Sequence, residues 1–152
     1  MCGIAGVVVS HAPLTREGRS ALEADVARMA EAIAHRGPDA SAVWSDPTLG
    51  VGLGHRRLAI LDLSPQGLQP MVSASGRFVL VYNGEIYNYA EIGRELESLG
   101  VTWRGRSDTE VLLAACETWG VARTLTRLVG MFAFALLDRQ ERRLTLARDR
   151  LG

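Results

Sequence analysis

The sequence predicts an α+β protein built in layers. Strand-like segments come in hairpin-like groups, helical segments lie between and around those groups, and no repeat, low-complexity tract or linker interrupts them. At 152 residues, with 47% hydrophobic and 22% charged, the chain is the size of one domain and can bury one good core.

Residues 3–9 are glycine and small or β-branched apolar types, suited to a buried first strand. Thr15 is placed to cap a helix running to about His35, with Leu22, Val26, Met29 and Ile33 on one face and Gly37-Pro38 as the stop. Short strands are expected at 41–44, 51–55 and 57–61, followed by a Ser-Pro-Gln-Gly loop at 64–67. Residues 77–82 alternate as a strand does and run directly into Asn83-Gly84. A second helix is expected over 89–99, with Asn88 at the cap, Glu91 completing a capping box and Gly100 at the end. A third begins after Ser107-Asp108, with Glu110 in the matching box position. It carries Val111, Leu112, Cys116 and Trp119 on one face and stops at Gly120. A short helix at 121–128 leads through Gly130 to apolar strands at 131–137 and 143–147, which flank a polar turn at 138–142 as a hairpin would. The final Asp149-Arg150-Leu151-Gly152 lacks the polar, fraying composition of a natural terminus, so the chain is expected to be a piece of something longer.

Lysine plus arginine (17) balances aspartate plus glutamate (17), which points away from nucleic acid and from anionic membranes. No apolar run approaches the ~20 residues needed to span a bilayer. The start lacks the positively charged leader of a signal peptide. A cytoplasmic address follows by default, and there Cys2 and Cys116 read as two free thiols. His11, His35 and His55 show no metal-ligand spacing, and no phosphate-cradling glycine motif occurs, so neither a zinc nor a nucleotide site is expected.

Cys2 directly follows the initiator methionine. Once that methionine is trimmed, an α-amino group of pKa ~7.7–8.0 sits beside a thiol of pKa ~8.5, so one residue can serve as nucleophile and base. It can equally be a small residue that happens to follow Met. Asn83-Gly84-Glu85 lies at a strand end, where an amide and a backbone N–H could hold an oxyanion; Asn-Gly is also the commonest hairpin turn signal. Arg56-Arg57 and Asp108 could clamp an amino acid at its carboxylate and ammonium, or be a solvated strand face and a helix cap. His35 or His55 could serve a cysteine as base, and Cys116 falls on an apolar helix face as a core thiol would.

Taken in order, Met1-Cys2-Gly3-Ile4-Ala5-Gly6, His35-Arg36-Gly37-Pro38-Asp39, His55-Arg56-Arg57-Leu58-Ala59-Ile60, Asn83-Gly84-Glu85-Ile86-Tyr87-Asn88 and Ser107-Asp108-Thr109-Glu110 resemble the class II glutamine amidotransferases. Gly130-Met131-Phe132-Ala133-Phe134-Ala135 and Arg148-Asp149-Arg150-Leu151-Gly152 complete the set, which is similar to the asparagine synthetase branch of these N-terminal-nucleophile hydrolases. The resemblance covers nearly the whole chain, 1–152, as one glutaminase domain. It implies an αββα four-layer sandwich of two antiparallel sheets, here expected to stop before its sheets are complete. It implies Cys2 as nucleophile, with Asn83 and the Gly84 N–H as the oxyanion hole. Arg57 matches the position that binds the glutamine α-carboxylate, with the backbone of Leu58 and Ile60 nearby. Glu85 and Asp108 match positions that hold the substrate, Asp108 at the α-ammonium, and Arg36 and Asp39 match supporting positions. The implied activity is hydrolysis of the L-glutamine side-chain amide through a Cys2 thioester, supplying ammonia for amidation of a carboxylate, aspartate foremost. The implied partner is a synthetase domain absent from this chain, the only part expected to use ATP and magnesium; the glutaminase itself implies no cofactor. Amidation of another acceptor, a non-glutamine amidase, a non-catalytic glutamine-binding module and a homodimer stay open.

Overall fold

The structure, a computed structural model, describes residues 2–58, 67–105 and 107–152. The chain begins with strand β1 (Gly3–Val8) and helix α1 (Arg16–Ala32), whose Thr15 side chain accepts from the Gly18 N–H at its start. Strands β2 (Ala40–Asp46) and β3 (Val51–Arg57) complete one antiparallel sheet in the order β1-β3-β2. A second antiparallel sheet, β4-β5-β6-β7, is made by β4 (Met71–Val72), β5 (Phe78–Ile86), β6 (Gly130–Asp138) and β7 (Arg143–Arg148). Helices α2 (Tyr89–Ser98), α3 (Asp108–Trp119) and α4 (Val121–Arg127) lie between β5 and β6 in sequence.

Strand alternation builds the layers. Val51 and Leu53 of β3 meet Val79 and Val81 of β5 and Ala135 and Leu137 of β6 in an apolar seam between the two sheets. Gly52 and Gly54 turn the other face of β3 to α1, which buries Leu22, Val26 and Ala30 against it. A Cβ on Gly52 would stand 2.6 Å from Val26 Cγ2, so the bare backbone sets how closely the helix can settle. On the far side of the second sheet, Leu80, Tyr82, Phe134 and Leu136 pack with Leu112, Leu113 and Cys116 of α3. Ile92 and Leu96 of α2 then close on Val111 and Ala115. The order helix, sheet, sheet, helix is the αββα sandwich that the resemblance implied.

Several local expectations change. The α1 stripe runs through Ala30 rather than Met29, which is 41% exposed, and the helix ends at Ala32 with a single 3-10 turn over Ala34–Arg36 before Gly37. Strand β3 continues through Arg56 without a break; residues 59–61 of the strand expected after it, and 64–66 of the loop, lie outside the described residues. The two-residue strand β4 is too short to leave a period in the sequence. At α2 the Asn88 side chain makes no cap. Its amide donates to the Arg127 carbonyl at 2.9 Å and accepts from the Val129 N–H at 3.0 Å, so tertiary partners displace the capping box. At α3 only half of the box forms. Ser107 Oγ accepts from the Glu110 N–H, while the Glu110 carboxylate takes the Arg104 and Gly105 N–H groups, each at 2.9 Å. Among the described residues no helix is long and apolar enough to cross a membrane.

Candidate active site

The Asn83-Gly84 pair is not a turn. Strand β5 runs through it, with Asn83 opposite Ala133 and Gly84 opposite Phe132 of β6. Gly84 is forced by packing, because a Cβ there would stand 2.3 Å from the Met131 carbonyl oxygen and 2.7 Å from Phe132 Cα. The hairpin reading of this dipeptide is therefore excluded, and its groups are presented from a fixed strand.

How they are presented follows from the ladder. Alternate N–H groups of a strand point to opposite edges. The Tyr82 N–H donates to Gln69 Oε1 at 2.6 Å and the Ile86 N–H to Asp108 Oδ2 at 3.1 Å, so both point away from β6. The Gly84 N–H lies between them on that same edge, beyond the short pairing with β4, which ends at Leu80. It is a backbone donor on an edge that no described strand covers.

Cys2 stands at the start of β1. The register that pairs Gly3 with Arg56 sets Cys2 beside Arg57, on the faces turned toward the second sheet. Its thiol is half-buried and free, and it bonds to one backbone unit: Sγ accepts from the Leu58 N–H at 3.4 Å and lies 3.6 Å from the Leu58 carbonyl. Arg36 Nε donates to the Cys2 carbonyl at 3.2 Å, so the turn after α1 holds this end of β1. That turn is docked in its own right. Arg56 Nε donates to the Gly37 carbonyl and the Asp39 N–H to the Arg57 carbonyl, and a Cβ on Gly37 would stand 2.4 Å from the Arg56 carbonyl carbon. The His-Arg-Gly-Pro-Asp run is thus a clasp over the end of β3.

Asp108 opens α3 and is buried. The Tyr82 hydroxyl donates to its Oδ2 at 2.7 Å, and the Ile86 N–H bond uses the same oxygen. Burial first, and then the nearby charges of Asp108, Glu85 and Cys2, push the Tyr82 phenol far above its ordinary range, so it stays a hydrogen-bond donor. Arg57 is also buried and close enough to bear on His55. Of the residues singled out from sequence, Cys2, Arg57, Leu58, Asn83, Gly84, Glu85 and Asp108 come to this region, and Ile60 lies outside the described residues.

The remaining ionisable candidates separate cleanly. His55 is 1% exposed and its proton affinity falls to about 4, chiefly through burial, with the Arg57 charge adding to the effect; a hydrogen bond to the Tyr82 backbone opposes both. It is neutral at pH 7. His35 lies exposed on the turn after α1. Burial pushes the Cys116 thiol up to about 12, which makes it a core thiol. Two buried polar atoms, His55 Nε2 and Asn83 Oδ1, have no hydrogen-bond partner among the described residues. Sequence reasoning missed the bracket formed by Gln69, Tyr82 and Thr109. Gln69 sits in an irregular segment and Tyr82 reads as one more apolar position of an alternating strand, so neither carries a local signal.

A family model described as a glutamine amidotransferase domain matches residues 1–152. Among curated relatives, asparagine synthetase [glutamine-hydrolyzing] 1 of Bacillus subtilis is 40% identical over 152 residues, covering all of this chain and 23% of that protein. Amidase chry2 of Gibberella zeae is 36% identical over 156 residues, again covering all of this chain and 23% of the relative. The chain therefore spans about a quarter of the length of these relatives. The solved structure of glutamine phosphoribosylpyrophosphate amidotransferase from B. subtilis superposes with a TM-score of 0.55 at 25% identity, over 66% of this chain and 23% of that one. On its motifs, its layered fold and these likenesses, the chain belongs to the glutamine amidotransferase domain family.

Proposed function

We propose that residues 1–152 form a glutaminase domain that hydrolyses the side-chain amide of L-glutamine, with Cys2 as the nucleophile. The observation that carries this reading is the half-buried Cys2 thiol held at the start of β1, on the face turned to the second sheet, whose strand β5 directs the Gly84 N–H outward from β6. With Met1 removed, the α-amine of Cys2 takes the thiol proton, and the thiolate attacks the δ-carbonyl carbon. The Asn83 amide and the Gly84 N–H receive the developing oxyanion, each such donor being worth ~2.7–4 kcal/mol in the transition state. Collapse of the adduct expels ammonia, protonated by the Cys2 ammonium, and leaves a γ-glutamyl thioester. Water attacks that thioester and returns glutamate and the free thiol. Arg57 holds the α-carboxylate alongside the backbone of Leu58 and Ile60, while Glu85 and Asp108 hold the substrate, Asp108 at the α-ammonium.

In a longer polypeptide the ammonia passes to a synthetase domain that joins it to an activated carboxylate, aspartate first among the candidates. ATP and magnesium belong to that domain, and no step above uses them. We place the protein in the cytoplasm, in keeping with two unpaired thiols.

Likeness to a relative named an amidase favours a second reading, in which the same nucleophile acts on a different amide. Cys2→Ala tests the first. It should abolish glutamate release from glutamine while glutamine still binds by calorimetry. Residual turnover by that variant would remove Cys2 from the mechanism, and failure of glutamine to compete with another amide would favour the second reading.

A further inference from the structure

We propose that Tyr82 is the positioning residue that sets the preference for an α-ammonium group: its hydroxyl, with the Ile86 N–H, holds Asp108 Oδ2 and leaves Oδ1 to the substrate. The inference rests on the reading of Asp108 as the ammonium partner and deepens it.

A buried carboxylate must have its lone pairs met or it destabilises the fold. Asp108 is 7% exposed, and both of its hydrogen bonds to described residues, at 2.7 and 3.1 Å, fall on one oxygen. Two donors on Oδ2, one from a side chain and one from the backbone, fix the plane of the carboxylate. The second oxygen is then presented in a set direction rather than swept through a rotamer range.

The phenol is itself held at both ends. Its ring lies in the core between β5 and α3, and its backbone N–H is taken by Gln69 Oε1 at 2.6 Å. Gln69 Nε2 in turn donates to Thr109 Oγ1 at 3.3 Å, next to Asp108. Strand β5, which carries Asn83 and Gly84, is thereby tied to the N-terminal turn of α3 through one bracket. The distance between the reacting carbonyl and the ammonium of a bound amino acid is fixed by the protein. Burial, and after it the charge of Asp108, keeps the phenol protonated, so the donor persists through the neutral range.

The test uses two substrates, L-glutamine and 4-carbamoylbutanoate, which is glutamine without its α-ammonium, with ammonia release as the readout. In the unsubstituted chain glutamine should show the lower KM. Tyr82→Phe should raise the glutamine KM about tenfold, leave kcat within about twofold, and leave the KM for the analogue unchanged, so that the ratio between substrates collapses. Tenfold corresponds to about 1.4 kcal/mol, within the reach of one hydrogen bond to a charged group. Tyr82→Phe in an Asp108→Asn background should add nothing further. If Tyr82→Phe raises both KM values equally, or neither, the hydroxyl is structural and the proposal is overturned. If the unsubstituted chain does not distinguish the two substrates, Asp108 does not hold an ammonium, and the underlying reading fails with it. Should Tyr82→Phe not fold, replacing tyrosine by 3-fluorotyrosine alters the phenol's acidity with little change of shape. The same KM ratio should then shift, and a ratio that stays put overturns the proposal.

Discussion

Arg36 Nε donates to the carbonyl oxygen of Cys2 over 3.2 Å, across 34 positions of sequence. An exposed side chain on the turn after α1 thereby fixes the backbone of the residue assigned as nucleophile. Arg36→Ala should lower kcat for glutamine hydrolysis about tenfold, because a small misplacement of a reacting group is costly. Its melting temperature should stay within a few degrees, since an exposed substitution of this kind usually changes stability by no more than ~0.5 kcal/mol. Steady-state kinetics beside a thermal melt checks both. A large fall in melting temperature would make Arg36 a stability residue.

Asn83 offers the opposite combination. Its side-chain oxygen is buried without a partner among the described residues, so the fold gains little from it. Asn83→Ala should leave the melting temperature unchanged or slightly raised while kcat drops by about 10²–10³, the usual effect of losing one oxyanion donor. A variant that melts much lower and keeps its kcat would contradict this assignment.

His55 gives the fold a pH signature. Held neutral with its pKa lowered from 6.5 to about 4, it binds a proton more readily in the unfolded chain. Stability is therefore full above pH 6.5, falls as pH drops toward 4, and loses up to about 3 kcal/mol across that window. Aspartates held low by hydrogen bonds and ion pairs, such as Asp138 beside Arg77, begin to cost stability only below their unfolded value near 3.8, and glutamates such as Glu95 beside Arg127 below 4.5. Denaturant unfolding at pH 7, 6, 5 and 4.5 should show this slope, and His55→Gln should flatten it. A slope that survives the substitution would assign it to other groups.

How much of this could be read from the residues alone varies with the range of the forces involved. Helix starts with local signals came through where the signal is self-contained, as with Thr15 on the Gly18 N–H and Ser107 on the Glu110 N–H. Asn88 misled because partners about forty residues away, Arg127 and Val129, outcompete its local cap. Met29 misled because the sequence does not say which side of a helix meets the bare faces of Gly52 and Gly54. At the site, Cys2, Asn83-Gly84 and Asp108 are each ambiguous alone, since a small residue that happens to follow Met, a hairpin turn and a helix cap explain them in turn. What resolves Asn83-Gly84 is the nine-residue pairing of β5 with β6, a contact between segments about fifty positions apart. Tyr82 and Gln69 left no trace, because a buried hydroxyl and a buried amide look like ordinary strand and loop residues until their partners are known.

If Cys2 is the nucleophile proposed above, it is processed, activated and set in a pocket shaped for glutamine. One intact-mass spectrum tests it most directly, taken on the purified chain after exposure to diazo-oxo-norleucine, an electrophile shaped like glutamine. Met1 should be lost and a single adduct should map to Cys2, with Cys116 untouched because burial holds its thiol up near 12. Met1 retained with no adduct, or an adduct on Cys116 alone, would contradict it.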